Sequence, residues 1–270
     1  MLRFTGAAAS DRGRVREHNE DSGYAGPGLL VVADGVGGAA AGEVASATAV
    51  HVVSALALQG PYADPLAVLR GGVRLAQEQL ARGVAQDPAR RGMATTLTAV
   101  LGDGHRFALA HLGDSRAYVW RDGGLTRATR DHTVVQDLLE DGRLGEQEAR
   151  THPWRHVVTR SLAGDPDETG DVTWLDLRRG DRVLVCSDGL TDMVAEPDVA
   201  RVLAEHRSDD AAVTALVDRA LAAGGRDNVT CVLATVTPGV PTSQEGVLVG
   251  AGRDPRLVVD PAAVHGQRSA

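Results

Sequence analysis

Asp34 closes the apolar run LLVVAD (29–34), glycines follow at once in DGVGG, and an alanine-rich segment comes next. A carboxylate at the end of a buried strand, beside residues that let the backbone turn sharply, suits two chemistries: a loop that wraps a phosphate, or a ligand for a metal ion. The phosphate reading has some support, since Gly35, Gly37 and Ala40 fit G-x-G-x-x-A. Against it, Asp34 would set negative charge beside a pyrophosphate. The acid required about 20 residues further on, at the end of a second strand, is also missing from HVVSALALQG (51–60). Gly42 is followed by Glu43 rather than Lys-Ser, so a Walker loop fails as well.

The metal reading gains from recurrence. RVLVCSDGL (182–190) delivers Asp188 into a glycine turn by the same device. Asp227 in GGRDNVT precedes an apolar run, Asp114 in HLGDSRAY sits at a strand junction, and Glu20 and Asp21 form an adjacent pair in REHNEDS. One Asp-Gly at a strand end is usually only a turn; five sites of the same texture ask for more. If they converge, their repulsion must be relieved by raised pKa values or by bound cations. Oxygen ligands with few histidines favour Mg²⁺ or Mn²⁺ over zinc. Composition does not show that they converge.

The elements that would position these acids are legible in outline. Residues 29–34 read as a buried strand and 41–58 as a helix of alanine and valine. Asp64 caps a second amphipathic helix over 65–82, with Pro65 in its first turn. After Gly92 come short β-rich runs, TTLTAVL (95–101), RFALAHL (106–112) and RAYVW (116–120), separated by GDG, GDS and DGG turns. That is an antiparallel meander rather than a βαβ crossover. Residues 133–150 read as one or two short polar helices. Strands follow at 172–177 and 182–187, a helix capped by Ser208 and stopped by Gly224 and Gly225, and a last strand at 228–236. From Pro238 the periodicity dissolves, and 238–270 reads as a flexible C-terminal tail. The pattern is α+β, with antiparallel sheets covered by helices.

Composition narrows the function classes. The 270 residues are 43% hydrophobic but only 3% aromatic, so the core is built from Val, Leu and Ala. A net charge of −8 with no basic block argues against a nucleic-acid partner. Cys186 and Cys231 match neither a zinc spacing nor a disulfide scaffold, and each lies in an apolar run, as buried reduced thiols do. No window approaches the ~18 apolar residues of a membrane span, and the N-terminus has no signal-peptide core; a cytoplasmic protein is expected.

Seven segments in order, RVREHNEDS (14–22), VVADGVGGAAAGEVAS (31–46), GMATTLTAVL (92–101), HLGDSRAYVW (111–120), RDHT (130–133), VLVCSDGLTDMV (183–194) and GRDNVTCVL (225–233), resemble the signatures of the metal-dependent protein serine/threonine phosphatases of type 2C, the PPM family, in bacterial form. The resemblance covers about Ser10 to Val236. It implies a four-layer α/β/β/α sandwich of two mainly antiparallel sheets, a catalytic domain over 1–237, and a flap-like insertion at about 133–165. It further implies that Asp34 bridges two Mn²⁺ or Mg²⁺ ions, with Asp188 and Asp227 completing one and Glu20 and the Gly35 carbonyl the other. Asp21 would hydrogen-bond water on the metals, Asp114 with Asp188 would make a third, weaker site, and Arg16 would hold the substrate phosphate.

By that resemblance the reaction is hydrolysis of phosphoserine and phosphothreonine in proteins, opposing a bacterial Ser/Thr kinase, by a monomer with no nucleic-acid or membrane partner. Two cations ~3.5–4 Å apart would share a water and lower its pKa toward ~7. Where many eukaryotic relatives carry a histidine two residues after the bridging aspartate, this chain has Val36. The leaving oxygen would then draw its proton elsewhere, with His18 and His132 as candidates. The flap charges, Asp137 to Arg150, read as a solvated face or as substrate selectors, and Trp154 as an anchor or a core residue. Rival readings are a phosphatase dedicated to an anti-anti-sigma regulator and a pseudophosphatase that binds without catalysis. The intact acids and Arg16 speak against the second.

Overall fold

The computed structural model describes residues 1–36, 41–60, 64–149, 151–241 and 246–261. The chain runs β1 (Leu2–Asp11), β2 (Asp21–Ala25), β3 (Leu29–Val36), α1 (Gly42–Ala57), α2 (Pro65–Gln86), β4 (Ala94–Thr95), β5 (Leu97–Gly102), β6 (Phe107–Leu112), β7 (Arg116–Arg121) and β8 (Gly124–Arg127). It continues through α3 (Val134–Glu140), α4 (Glu146–Ala149), β9 (Asp171–Leu175), β10 (Arg182–Cys186), α5 (Asp188–Thr191), α6 (Glu196–Glu205), α7 (Asp209–Ala222), β11 (Val229–Pro238) and β12 (Val247–Gly250).

The strands form two antiparallel sheets. One has the order β1-β11-β10-β7-β8; the other has the order β12-β2-β3-β5-β6-β9, with β4 against the end of β3. The apolar run of β3 has no polar alternation because both its faces are covered. Leu30 and Val32 join Val100, Val183, Val185 and Val232 between the sheets, while Val31 and Ala33 meet Ala45, Ala49 and Val53 of α1. β10 divides likewise: Val183 and Val185 point between the sheets, and Leu184 and Cys186 point toward α6 and α7. Small residues along α1 let its backbone lie close to the sheet, so a core almost free of aromatics still closes. The result is the expected helix, sheet, sheet, helix stack, with α1 and α2 on one outer face and α6 and α7 on the other.

Local signals hold where they rest on backbone chemistry. The Asp64 carboxylate accepts the Leu66 N–H at 3.0 Å at the start of α2. Ser208 stands at the N-cap position of α7 but makes no side-chain capping bond. The Asp209 carboxylate instead binds Arg182 and the Thr235 N–H and hydroxyl. Cys186 and Cys231 are free, buried and directly opposite each other in the β10–β11 register.

Two elements went unread in the sequence, β1 and α6. β1 is alanine-rich and poor in β-branched residues, yet all of Leu2–Asp11 pairs with β11. α6, ten residues long, is a short amphipathic helix burying Val199, Val202 and Leu203. The expectation of a flexible tail from residue 238 is corrected for 246–260. β12 pairs with β2, and Val249, Ala251 and Val258 are buried. His51 Nε2 meets the Gly252 carbonyl at 2.8 Å, and the Val259 N–H donates to Thr48 Oγ1 at 3.1 Å. Leu248, Leu257 and Val259 also pack against the core beside α1, an irregular spacing that marks no periodic segment. Tail residues 242–245 and 262–270 lie outside the described residues. No helix among the described residues is long and apolar enough to cross a membrane.

Candidate metal centre

The β2–β3 register sets Asp21 opposite Asp34. At the same end of the molecule β10 delivers Asp188 as the first residue of α5, the β6–β7 turn carries Asp114, and Asp227 lies just before β11. Two glycines make this approach possible. A Cβ on Gly35 would collide with the backbone of Gly42 and the Glu20 carbonyl, and one on Gly189 with the Asn228 carbonyl.

Neutral groups from other elements hold Asp34, Asp21 and Glu20 in place. The Asp34 N–H donates to Thr96 Oγ1 at 2.9 Å, and its carbonyl accepts from Thr95 Oγ1 at 2.9 Å. Ser187 Oγ donates to Asp21 Oδ2 at 2.7 Å and accepts the Thr230 N–H at 3.0 Å, joining β2, β10 and β11. Asn228 organises the N-terminal loop: its Oδ1 accepts the Glu20 N–H at 2.8 Å, and its Nδ2 donates to the Arg12 and His18 carbonyls at 2.8 and 2.9 Å. Arg16 Nη2 donates to Asp227 Oδ2 at 2.6 Å, so the guanidinium assigned to a phosphate lies against a carboxylate assigned to a metal.

The electrostatics show convergence. Burial, then repulsion from Asp21, Asp188, Asp114 and Asp227, drives the Asp34 pKa well above the usual 3.8. Burial, then Asp114, Asp192 and Asp227, does the same to Asp188. Burial pushes Asp21 up to about 6 against the hydrogen bond from Ser187, and pushes Asp114 up to about 7 with help from Asp131 and Asp192. Burial also raises Glu20, opposed by Arg16. Asp21 is 0% exposed, and its Oδ1 has no hydrogen-bond partner. A buried, unpartnered carboxylate oxygen inside a ring of repelling carboxylates fits a divalent-cation site; two hard cations satisfy that donor set.

Sequence reading named Asp21, Asp34, Asp114, Asp188, Asp227, Glu20, Gly35 and Arg16, and the fold brings all of them to one end of the two sheets. It missed the supporting Ser187, Thr96 and Asn228, although each lies inside or beside a quoted segment. It also missed His156 and Asp192, which with Asp188 present ligand atoms within 4.8 Å of one another. Of the two histidines considered for proton donation, His132 is shut away: its side chain is 0% exposed, with Nδ1 accepting the Gly113 N–H and Nε2 on Asp171. His18 is exposed beside Glu20. Trp154 is 57% exposed with its ring edge to His152, so it is neither core nor an anchor to the body. The insertion is tied down by backbone bridges, Thr133 to Val158 and Thr95 to Leu162. Gly37, Ala40 and Arg150 lie outside the described residues.

The model of the protein phosphatase 2C family matches residues 10–223, and the chain belongs to that family. The serine/threonine protein phosphatase PstP of Mycobacterium tuberculosis is 44% identical over 272 residues, covering 100% of this chain and 52% of PstP. The chain thus spans about half the length of that relative. The serine/threonine phosphatase stp of Listeria welshimeri is 32% identical over 238 residues, 83% of this chain and 92% of stp. Among solved structures, the PstP catalytic domain in complex with two manganese ions superposes with a TM-score of 0.83 at 43% identity, covering 88% of this chain and 100% of that one. Staphylococcus aureus Stp1 gives 0.80 at 29% identity, over 87% of this chain and 96% of Stp1.

Proposed function

We propose that this chain hydrolyses phosphoserine and phosphothreonine in proteins with two bound Mn²⁺ or Mg²⁺ ions, in the cytoplasm and against a Ser/Thr kinase. The observation that carries the reading is the unpartnered, buried Asp21 Oδ1 within carboxylates gathered from five separate chain segments. In this reading residues 1–237 are the catalytic domain, with the 246–260 strap packed upon it.

Asp34, Asp188 and Asp227, with Glu20 and the Gly35 carbonyl, would hold the two ions, and Asp114 with Asp188 would offer a third position. When bound, such ions neutralise phosphate charge and lower the pKa of a shared water from 15.7 toward ~7. Asp21, fixed by Ser187, would use its free oxygen to orient that water. With Asp227 on a cation, Arg16 would be free of its ion pair, and its planar guanidinium would match two phosphate oxygens at once. Val36, 50% exposed at the end of β3, contributes no proton to the leaving oxygen, and the enclosed His132 does not reach it. Neither cysteine takes part.

The test is hydrolysis of p-nitrophenyl phosphate and of a phosphothreonine peptide with Mn²⁺, with EDTA, and in the variant Asp188→Asn. Activity is expected with Mn²⁺ only, falling ~10²–10³-fold in the variant, the scale of losing a group that stabilises transition-state charge. Hydrolysis that persists in EDTA sinks the mechanism; no hydrolysis despite bound Mn²⁺ turns the reading to a binding scaffold.

A further inference from the structure

Asp227 forms part of the wall of a surface cavity of about 450 Å³ that also takes in Arg155, His156, Asp192, Met193 and Arg226. Its lining carries two carboxylates and two guanidinium groups, and the carboxylates already have partners. Asp192 meets His156 Nδ1 at 3.2 Å, and Asp227 meets Arg16 at 2.6 Å. Arg155 and Arg226 are exposed, and among the described residues neither has a carboxylate partner in an ion pair. Arg155 comes from the insertion and Arg226 from the loop that carries Asp227, so the two guanidinium groups reach one cavity from separate segments.

On the phosphatase reading above, the cavity adjoins the acidic centre through Gly189 and Asp227, beside the place where a phosphoresidue would sit. An extended peptide advances ~3.3 Å per residue, so the residues within about three positions of the phosphoresidue reach it. We infer that the cavity beside Asp227 binds a second anionic group of the substrate, a carboxylate or a second phosphate, between Arg155 and Arg226. Guanidinium groups match both anions with paired N–H donors. The Met193 side chain supplies an apolar wall that strengthens such contacts by excluding water. The chain would then discriminate among phosphoproteins by acidic or doubly phosphorylated segments.

The experiment compares phosphothreonine peptides identical except at the three positions on either side, which carry alanine, glutamate or a second phosphoresidue. Both kcat/KM with Mn²⁺ and equilibrium binding by fluorescence anisotropy are measured for the full chain, Arg155→Ala, Arg226→Ala and the double variant. An anionic neighbour is expected to raise kcat/KM and affinity about tenfold over the alanine peptide, ~1.4 kcal/mol, at the positions that reach the cavity. That ratio should fall to near one in the double variant, each protein's alanine peptide serving as its own reference. A gain with glutamate and phosphate alike assigns the cavity to acidic segments; a gain with phosphate alone assigns it to double phosphorylation. Equal use of all peptides by the full chain, or a ratio unchanged in the double variant, overturns the inference. If no peptide is hydrolysed, the phosphatase reading fails, and the binding ratios still decide the cavity.

Discussion

Asn228 illustrates how much of the centre rests on residues that would touch neither substrate nor ion. It is 4% exposed, and one side chain satisfies three backbone groups of the Arg12–Glu20 segment. That segment carries both Glu20 and Arg16, so Asn228 sets the position of a candidate ligand and of the candidate phosphate grip. Asn228→Ala would leave a buried N–H and two carbonyls without partners. The expected result is a 10–100-fold loss of Mn²⁺ affinity, the scale of removing a support behind a ligand, with the fold retained. Calorimetric titration checks it; an unchanged affinity would show that the loop is held by other means. The type and spacing of Glu20, Asp34 and Asp188 were readable because glycine or an adjacent acid marks each. Nothing local distinguishes Asn228 from a turn asparagine, since its three partners lie about 210 residues away in sequence.

Between elements, the contact that ties the outer helices to their sheet is Arg182. It lies in β10 at 7% exposure, where its Nε meets Asp209 Oδ1 at 2.9 Å. Its Nη1 donates to the Leu203 and His206 carbonyls at 2.7 and 2.9 Å, satisfying the last turn of α6. One guanidinium thereby joins the end of α6, the start of α7 and the sheet. Arg182→Ala strands the Asp209 charge in a largely buried site and frees two helix carbonyls, so a loss of about 3–5 kcal/mol is expected in urea unfolding. Truncating Asp209 as well should cost less than the sum of the two single changes, because the stranded charge is then gone. Strict additivity would rule out the coupling. The sequence shows strand β10 and helix α7 plainly; that an arginine in the apolar strand caps a helix end depends on layer packing.

For the whole molecule, the acidic centre is a destabilising feature that cations relieve. In the metal-free protein the folded state binds more protons than the unfolded state wherever a carboxylate pKa is raised, so stability falls as pH rises through the interval between the two values. Asp114 spans 3.8 to about 7, and Asp34 and Asp188 lie well above 3.8. His111 acts in the opposite sense: burial holds it down to about 4 from 6.5, which makes stability rise with pH over that interval and no further. Above pH 6.5 the carboxylates therefore stand alone. The melting temperature of metal-free protein is expected to drop between pH 6.5 and 8, by an amount that saturating Mn²⁺ removes. A flat or rising melting temperature without metal across that window would refute this account.

Some features were settled by local chemistry: the apolar strands ending in Asp34 and Asp188, the Asp64 cap of α2, the antiparallel meander, and the ordered motifs that mark the protein phosphatase 2C family. Such features depend on neighbours in the chain, and side-chain type and spacing record neighbours directly. Convergence of the acids, the pairing of β1 with β11, the docking of 246–260 and the placing of Arg155 and Arg226 on one cavity depend instead on register and on which layer packs against which. Those are set by burial summed over two sheets and four helices, a sum that no single segment carries, and they appear only once the chain is folded.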